Sequence, residues 1–125
     1  MQPFLYQGGF NMSDCLFCKI INGDIPCDKV YEDDKVLAFN DIDPQAPVHF
    51  LVIPKEHIQS AALICENNSG IVAHIFEVIA KIAAEKGISE KGFRVVTNCG
   101  EDGGQTVGHL HFHVLAGRNI GWPPG

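Results

Sequence analysis

A chain of 125 residues, 46% of them hydrophobic, is long enough for one domain with a real core. Fifteen acidic residues against nine basic ones leave a net charge of −6, so the chain lacks the basic footprint that would bring it to a nucleic-acid polymer or an anionic membrane surface. No run approaches the roughly 18 apolar residues of a membrane span, and the start MQPFLYQGGFNM has no basic segment followed by a long apolar one, so a cytoplasmic protein is expected.

Residues 1 to 11 show neither periodicity nor a start signal and are expected to be a disordered leader or appended extension, with Met12 able to serve as initiator and one domain over residues 12–125. From Ser13 the stretch CLFCKIINGDI predicts one or two helical turns stopped at Gly23. The period then changes. VYEDD and KVLAFND, separated by Asp33 and Asp34, and HFLVIP after the breaker-rich DPQAP give three closely spaced strands, as in an antiparallel meander. A long helix is predicted from about Gly70 to Glu85, with Ile71, Ile75, Val78, Ile79 and Ile82 on one side, His74, Glu77, Lys81 and Glu85 on the other, and Gly87 as its stop. GFRVVTNC then reads as a strand, CGEDGGQ as a loop and VGHLHFHVLAG as a last strand. The pattern predicts an α+β domain, a sheet of about five antiparallel strands with the main helix on one face.

In the last strand His109, His111 and His113 alternate with Leu110, Phe112 and Val114, so the imidazoles share one face and the apolar residues the other. Adjacent imidazoles could converge on one ion, whereas the outer two lie about 13 Å apart along a strand, so one ion cannot account for all three. Imidazole near its pKa suits a division of labour in which one ring attacks and a neighbour donates a hydrogen bond, as phosphoryl or nucleotidyl transfer requires. The preceding loop adds the Asn98 carboxamide, the Thr106 hydroxyl and glycine-rich backbone able to approach anionic oxygens.

His109-Leu-His-Phe-His113-Val-Leu115 resembles the signature of the histidine-triad (HIT) nucleotide-binding family. The resemblance extends from Cys15 through Phe39-Asn-Asp41-Ile42 and Ala46-Pro-Val-His49-Phe-Leu-Val-Ile-Pro54-Lys55 to Trp122-Pro-Pro-Gly125. DGGQTVGH and GWPPG are most similar to the HINT branch, the purine nucleoside phosphoramidases. It implies a HIT-like fold and a catalytic set of His111 as nucleophile, with its other nitrogen held by the main-chain carbonyl of His109, and His113, Asn98 and Thr106 at the phosphate or leaving group. It also implies nucleotide contacts from Phe17, Phe39, Asp41, Ile42 and Gln105, with Asp41 on the ribose hydroxyls, AMP or GMP as ligand, and a homodimer in which the main helix and GFRVVTNC form the interface and Trp122 reaches the partner's site. Thr106 and Gly108 stand where animal members of the branch carry serine and tyrosine.

Cys15-Leu-Phe-Cys18 could be a redox pair, half a zinc site or neither, and the missing βαβ pattern disfavours the redox reading. The resemblance implies Zn2+ on Cys15, Cys18, His49 and His109. His57 and His74 are expected to be solvated, and Cys27, Cys65 and Cys99 to be small buried or half-buried residues. Two other functions fit the triad: hydrolysis of dinucleoside polyphosphates, and a nucleotide-responsive binding or regulatory module whose partner matters more than turnover.

Overall fold

The computed structural model describes residues 14–125; the expected leader over residues 1–11, Met12 and the helical start at Ser13 lie outside the described residues. Helix α1 (Leu16–Ile21) begins behind Cys15, whose sulfur accepts the N–H of Cys18, and the chain turns away at Gly23 with φ +84°. Strands β1 (Lys29–Glu32), β2 (Val36–Asn40) and β3 (Val48–Pro54) then form the expected antiparallel meander. Helix α2 (Ser69–Lys86) follows, stopped by Gly87 in the left-handed region at φ +72°, where a residue without Cβ is unstrained. Strand β4 (Arg94–Val96), a short helix α3 (Gly100–Gly103) and β5 (Phe112–Ala116) complete the described chain.

The five strands are all antiparallel and run in the order β1-β2-β3-β5-β4, so β5 lies inside the sheet and β4 at its edge. The fold is α+β, as expected. Three local expectations change. The strand predicted in GFRVVTNC shrinks to three residues, and part of the predicted CGEDGGQ loop winds into α3. The histidine strand enters the regular ladder only at Phe112, paired with Val52. Upstream, β3 ends at Pro54, which has no N–H to donate, and Leu110 gives its own N–H to the carbonyl of Ile58 at 2.6 Å.

Alternation sorts the central strands into two layers. Val36, Ala38, Phe50, Val52, Leu110, Phe112 and Val114 pack with Ile75, Val78, Ile79 and Ile82 of α2. Leu37, Phe39, Leu51 and Ile53 face the other way, against Cys15 and Phe17. Both faces of the central sheet are therefore buried, and each fully buried Ile of α2 contributes about 1.5–3 kcal/mol of hydrophobic stabilisation. The histidines lie on the α1 side.

His74 is not solvated as expected: its Nε2 lies 2.7 Å from the Asp33 carboxylate, tying α2 to the β1–β2 turn. The same carboxylate accepts the N–H groups of Lys35 (2.8 Å) and Val36 (2.9 Å) and the Tyr31 hydroxyl (2.9 Å). Burial opposes ionisation of Asp33, but these donors outweigh it and hold the carboxyl well below the usual carboxylate range. Replacing Asp33 by Asn should cost about 1–3 kcal/mol of unfolding free energy at neutral pH. Because the folded pKa is the depressed one, this stabilisation is present above the unfolded value of about 3.9 and is lost as pH falls through the folded value. Urea unfolding should thus show a full gap between wild type and Asp33→Asn near pH 6 and a shrinking gap below about pH 4; a gap independent of pH would contradict it.

Candidate functional site

Helix α1 lays Phe17, only 4% exposed, edge-on against the triad, with ring centroids 5.1 Å from His111 and 5.9 Å from His109. The three imidazoles share the α1 face, and the rings of His111 and His113 lie 5.1 Å apart. The Nδ1 of His111 sits 2.7 Å from the carbonyl oxygen of His109. A carbonyl only accepts, so Nδ1 carries the hydrogen and Nε2 keeps its lone pair. Burial pushes the pKa of His111 down, so near pH 7 the ring is neutral. His113 is pushed down to about 4 by burial, with His111 and His49 adding to the effect and Asp41 opposing it.

The side chain of His109 turns away from this pair. Its Nε2 donates to the carbonyl of Pro54 at 2.8 Å, which leaves Nδ1 as the lone-pair nitrogen. That Nδ1 lies 3.4 Å from the sulfur of Cys15, 3.6 Å from that of Cys18 and 3.1 Å from Nδ1 of His57, and the Cys18 sulfur is 3.3 Å from the same His57 atom. Metal–ligand lengths of about 2.0–2.3 Å give a tetrahedron with edges of about 3.3–3.8 Å, close to this spacing. Two sulfurs, two imidazoles and a ligand oriented from behind by a backbone carbonyl fit a closed tetrahedral site. Burial, and then the adjacent Cys15, push the Cys18 thiol up to about 12, while burial alone lowers His57 and leads the lowering of His109 to about 4.

The ligand set expected from the sequence is therefore corrected at one position: His57 stands with Cys15, Cys18 and His109, and His49 does not. The sheet register is the reason. His49 pairs with Leu115, six residues beyond His109, which is about 20 Å along a strand, whereas His57 follows the Pro54 end of β3, where His109 lies. His57, expected to be solvated, is the residue sequence reasoning missed; the antiparallel pairing of HFLVIP with HLHFHV was the signal that could have found it.

Instead, His49 faces the other end of the triad, with Nε2 3.0 Å from Nδ1 of His113. Asp41, expected at the ribose, stands beside them, its Oδ2 3.5 Å from Nε2 of His49 and 3.9 Å from Nδ1 of His113. Ile42 is fully exposed next to it, while Phe39 is only 5% exposed and stacks edge-on with Phe17 at 5.7 Å. Gln105 braces its loop: its Oε1 accepts the N–H of Gly100, and its amide donates to the carbonyls of Gln59 and Val107. Asn98 is half-buried and Thr106 exposed on either side of α3. Cys27 is half-buried as expected, but Cys65 and Cys99 are exposed, in the segment before α2 and at the start of α3. No helix among the described residues is long and apolar enough to cross a membrane.

A family profile described as "Scavenger mRNA decapping enzyme C-term binding" matches residues 14–120. An uncharacterized HIT-like protein of Synechococcus elongatus is 50% identical over 112 residues, covering 90% of this chain and 97% of that one. Among solved structures, a HIT family hydrolase from Legionella pneumophila superposes with a TM-score of 0.88 at 48% identity, covering 90% of this chain and 100% of the other. A histidine triad protein from Clostridium difficile does so with a TM-score of 0.86 at 57% identity, covering 90% and 97%.

The corrected ligand set has a direct test. Metal-stripped protein titrated with Zn2+ near pH 7.5 should bind about one ion per chain and gain thermal stability. Cys18→Ser and His57→Ala should lose most of that binding, whereas His49→Ala should retain it. Affinity should weaken as pH falls, because the thiols must give up their protons to ligate. Retained binding in His57→Ala with loss in His49→Ala would restore the original assignment.

Proposed function

Because the chain belongs to the histidine-triad (HIT) family, we propose that it is a hydrolase of the phosphorus–nitrogen bond in purine nucleoside phosphoramidates, AMP- or GMP-amine conjugates, acting through a nucleotidylated His111. One observation carries the reading: the bond from His111 Nδ1 to the His109 carbonyl leaves Nε2 of a neutral, buried ring as a fixed lone pair. In the first step this nitrogen bonds to the α-phosphorus as the substrate's phosphorus–nitrogen bond breaks. The leaving nitrogen takes up one proton and departs as an amine. In the second step water attacks phosphorus, the bond to His111 breaks, and a nucleoside monophosphate and a proton are released. The net reaction consumes one water, and the covalent intermediate divides one difficult displacement into two easier ones.

His113 stabilises the phosphoryl oxygens, with Asn98 and Thr106 around the leaving group. Asp41 takes the ribose hydroxyls, and the exposed Ile42, with the edges of Phe17 and Phe39, borders the purine. Zn2+ is the ion we assign to Cys15, Cys18, His57 and His109, where its role is structural: it fixes the residue whose carbonyl holds the nucleophile. A cytoplasmic homodimer completes the reading. It is supported by the half-buried edge strand β4 and by Phe76, Phe93 and Trp122, which are 47%, 37% and 81% exposed.

Replacing His111 by Ala should lower kcat for an adenosine phosphoramidate by several orders of magnitude while AMP binding persists. His113→Ala should be milder, losing about 10²–10³-fold as expected for one oxyanion donor. Mass spectrometry of acid-free quenched reactions should find the added nucleotide on the peptide containing His111. Near-normal turnover by His111→Ala would end this mechanism. Rapid cleavage of dinucleoside polyphosphates with inert phosphoramidates would move the substrate assignment.

A further inference from the structure

A neutral imidazole has one N–H and one lone pair, so a partner at one nitrogen dictates what the other can offer. This applies to a chain of contacts on the far side of the triad from the sulfur cluster. The backbone N–H of Gln45 points at Nδ1 of His49, 3.0 Å away. Nδ1 of His49 therefore accepts, and its hydrogen lies on Nε2. That Nε2 is 3.0 Å from Nδ1 of His113, which must accept in turn. The hydrogen of His113 is thereby placed on its own Nε2, which makes no hydrogen bond among the described residues, on a side chain 21% exposed.

Building on the proposed attack by His111, we propose that His49 is a positioning residue, oriented by the main-chain N–H of Gln45, that fixes His113 as the Nε2–H tautomer. His113 then offers an N–H donor to a phosphoryl oxygen beside the lone pair of His111. His49 can hold this role because it is buried, 6% exposed, on the central strand β3. The Gln45 loop is itself anchored, since Arg118 donates to the Gln45 carbonyl through Nε at 3.1 Å and Nη2 at 2.9 Å. The cluster of Asp41, His49 and His113 has the donor types of a metal site. The bond from Gln45 makes the converging nitrogen of His49 an N–H, which cannot ligate.

Asp41 gives the proposal its sharpest consequence. Its Oδ2 lies 3.9 Å from Nδ1 of His113, an acceptor waiting for a hydrogen there. Without His49, the carboxylate would draw the hydrogen of His113 onto Nδ1 and leave no donor at Nε2.

Long-range proton–nitrogen correlation spectra of the full chain, labelled with nitrogen-15 in its histidines and recorded at pH 7.5, test this. Wild type should show Nε2–H patterns for His49 and His113 and an Nδ1–H pattern for His111. His49→Leu should move His113 to Nδ1–H and lower kcat for a nucleoside phosphoramidate about 10²-fold with little change in KM. His49→Gln, whose side-chain amide can still donate, should keep the Nε2–H pattern and recover most of the turnover lost in His49→Leu. An Nδ1–H pattern for His113 in wild type, which needs no variant, would overturn the proposal, as would an unchanged Nε2–H pattern in His49→Leu. The expected patterns in a protein that turns over no phosphoramidate would uphold the tautomer assignment and defeat the proposed substrate instead.

Discussion

The hydrogens on the buried rings of His109 and His111 decide what the first two members of the triad can do, and two main-chain carbonyls decide where those hydrogens sit. Pro54 takes the Nε2 hydrogen of His109, which turns the lone pair of Nδ1 toward the sulfurs. His109 in turn takes the Nδ1 hydrogen of His111, which leaves Nε2 open. An unsatisfied buried donor costs about 1–3 kcal/mol, so neither ring can rotate away without losing its bond.

His109 consequently serves two sites at once. Its ring belongs to the cluster of Cys15, Cys18 and His57, and its carbonyl holds the ring of His111. An ion bound in that cluster would restrain the same residue that orients the proposed nucleophile, so metal affinity and the geometry of His111 would share one element. Phe17 closes the arrangement from α1, its buried ring set edge-on to those of both His109 and His111. The sheet supplies rigidity, because β5 is paired on both sides and α2 covers its other face.

The residues whose role depends on local periodicity were legible in the sequence. Helix α2 announced itself through Ile75, Val78, Ile79 and Ile82 and its stop at Gly87, and the alternation of His with Leu110, Phe112 and Val114 gave the correct faces. Pairing between distant segments was not legible. His49 and His57 lie on one short stretch, yet the antiparallel register sends one to His113 and the other to His109. His74 sat on the polar side of α2 as expected, but only the folded turn at Asp33 shows that it has a partner. The retreat of the last strand to Phe112 depends on Pro54 of its neighbour, which no reading of HLHFHV alone contains.

The central claim is that a histidine nitrogen attacks phosphorus. The stereochemical course at phosphorus tests it without any substitution in the protein. A nucleoside phosphoramidate made chiral at phosphorus with sulfur can be hydrolysed in isotopically labelled water, and the configuration of the resulting phosphorothioate read by phosphorus NMR. Two in-line displacements, one by His111 and one by water, invert the centre twice, so overall retention is predicted. Overall inversion would mean that water attacks directly, and would contradict the account.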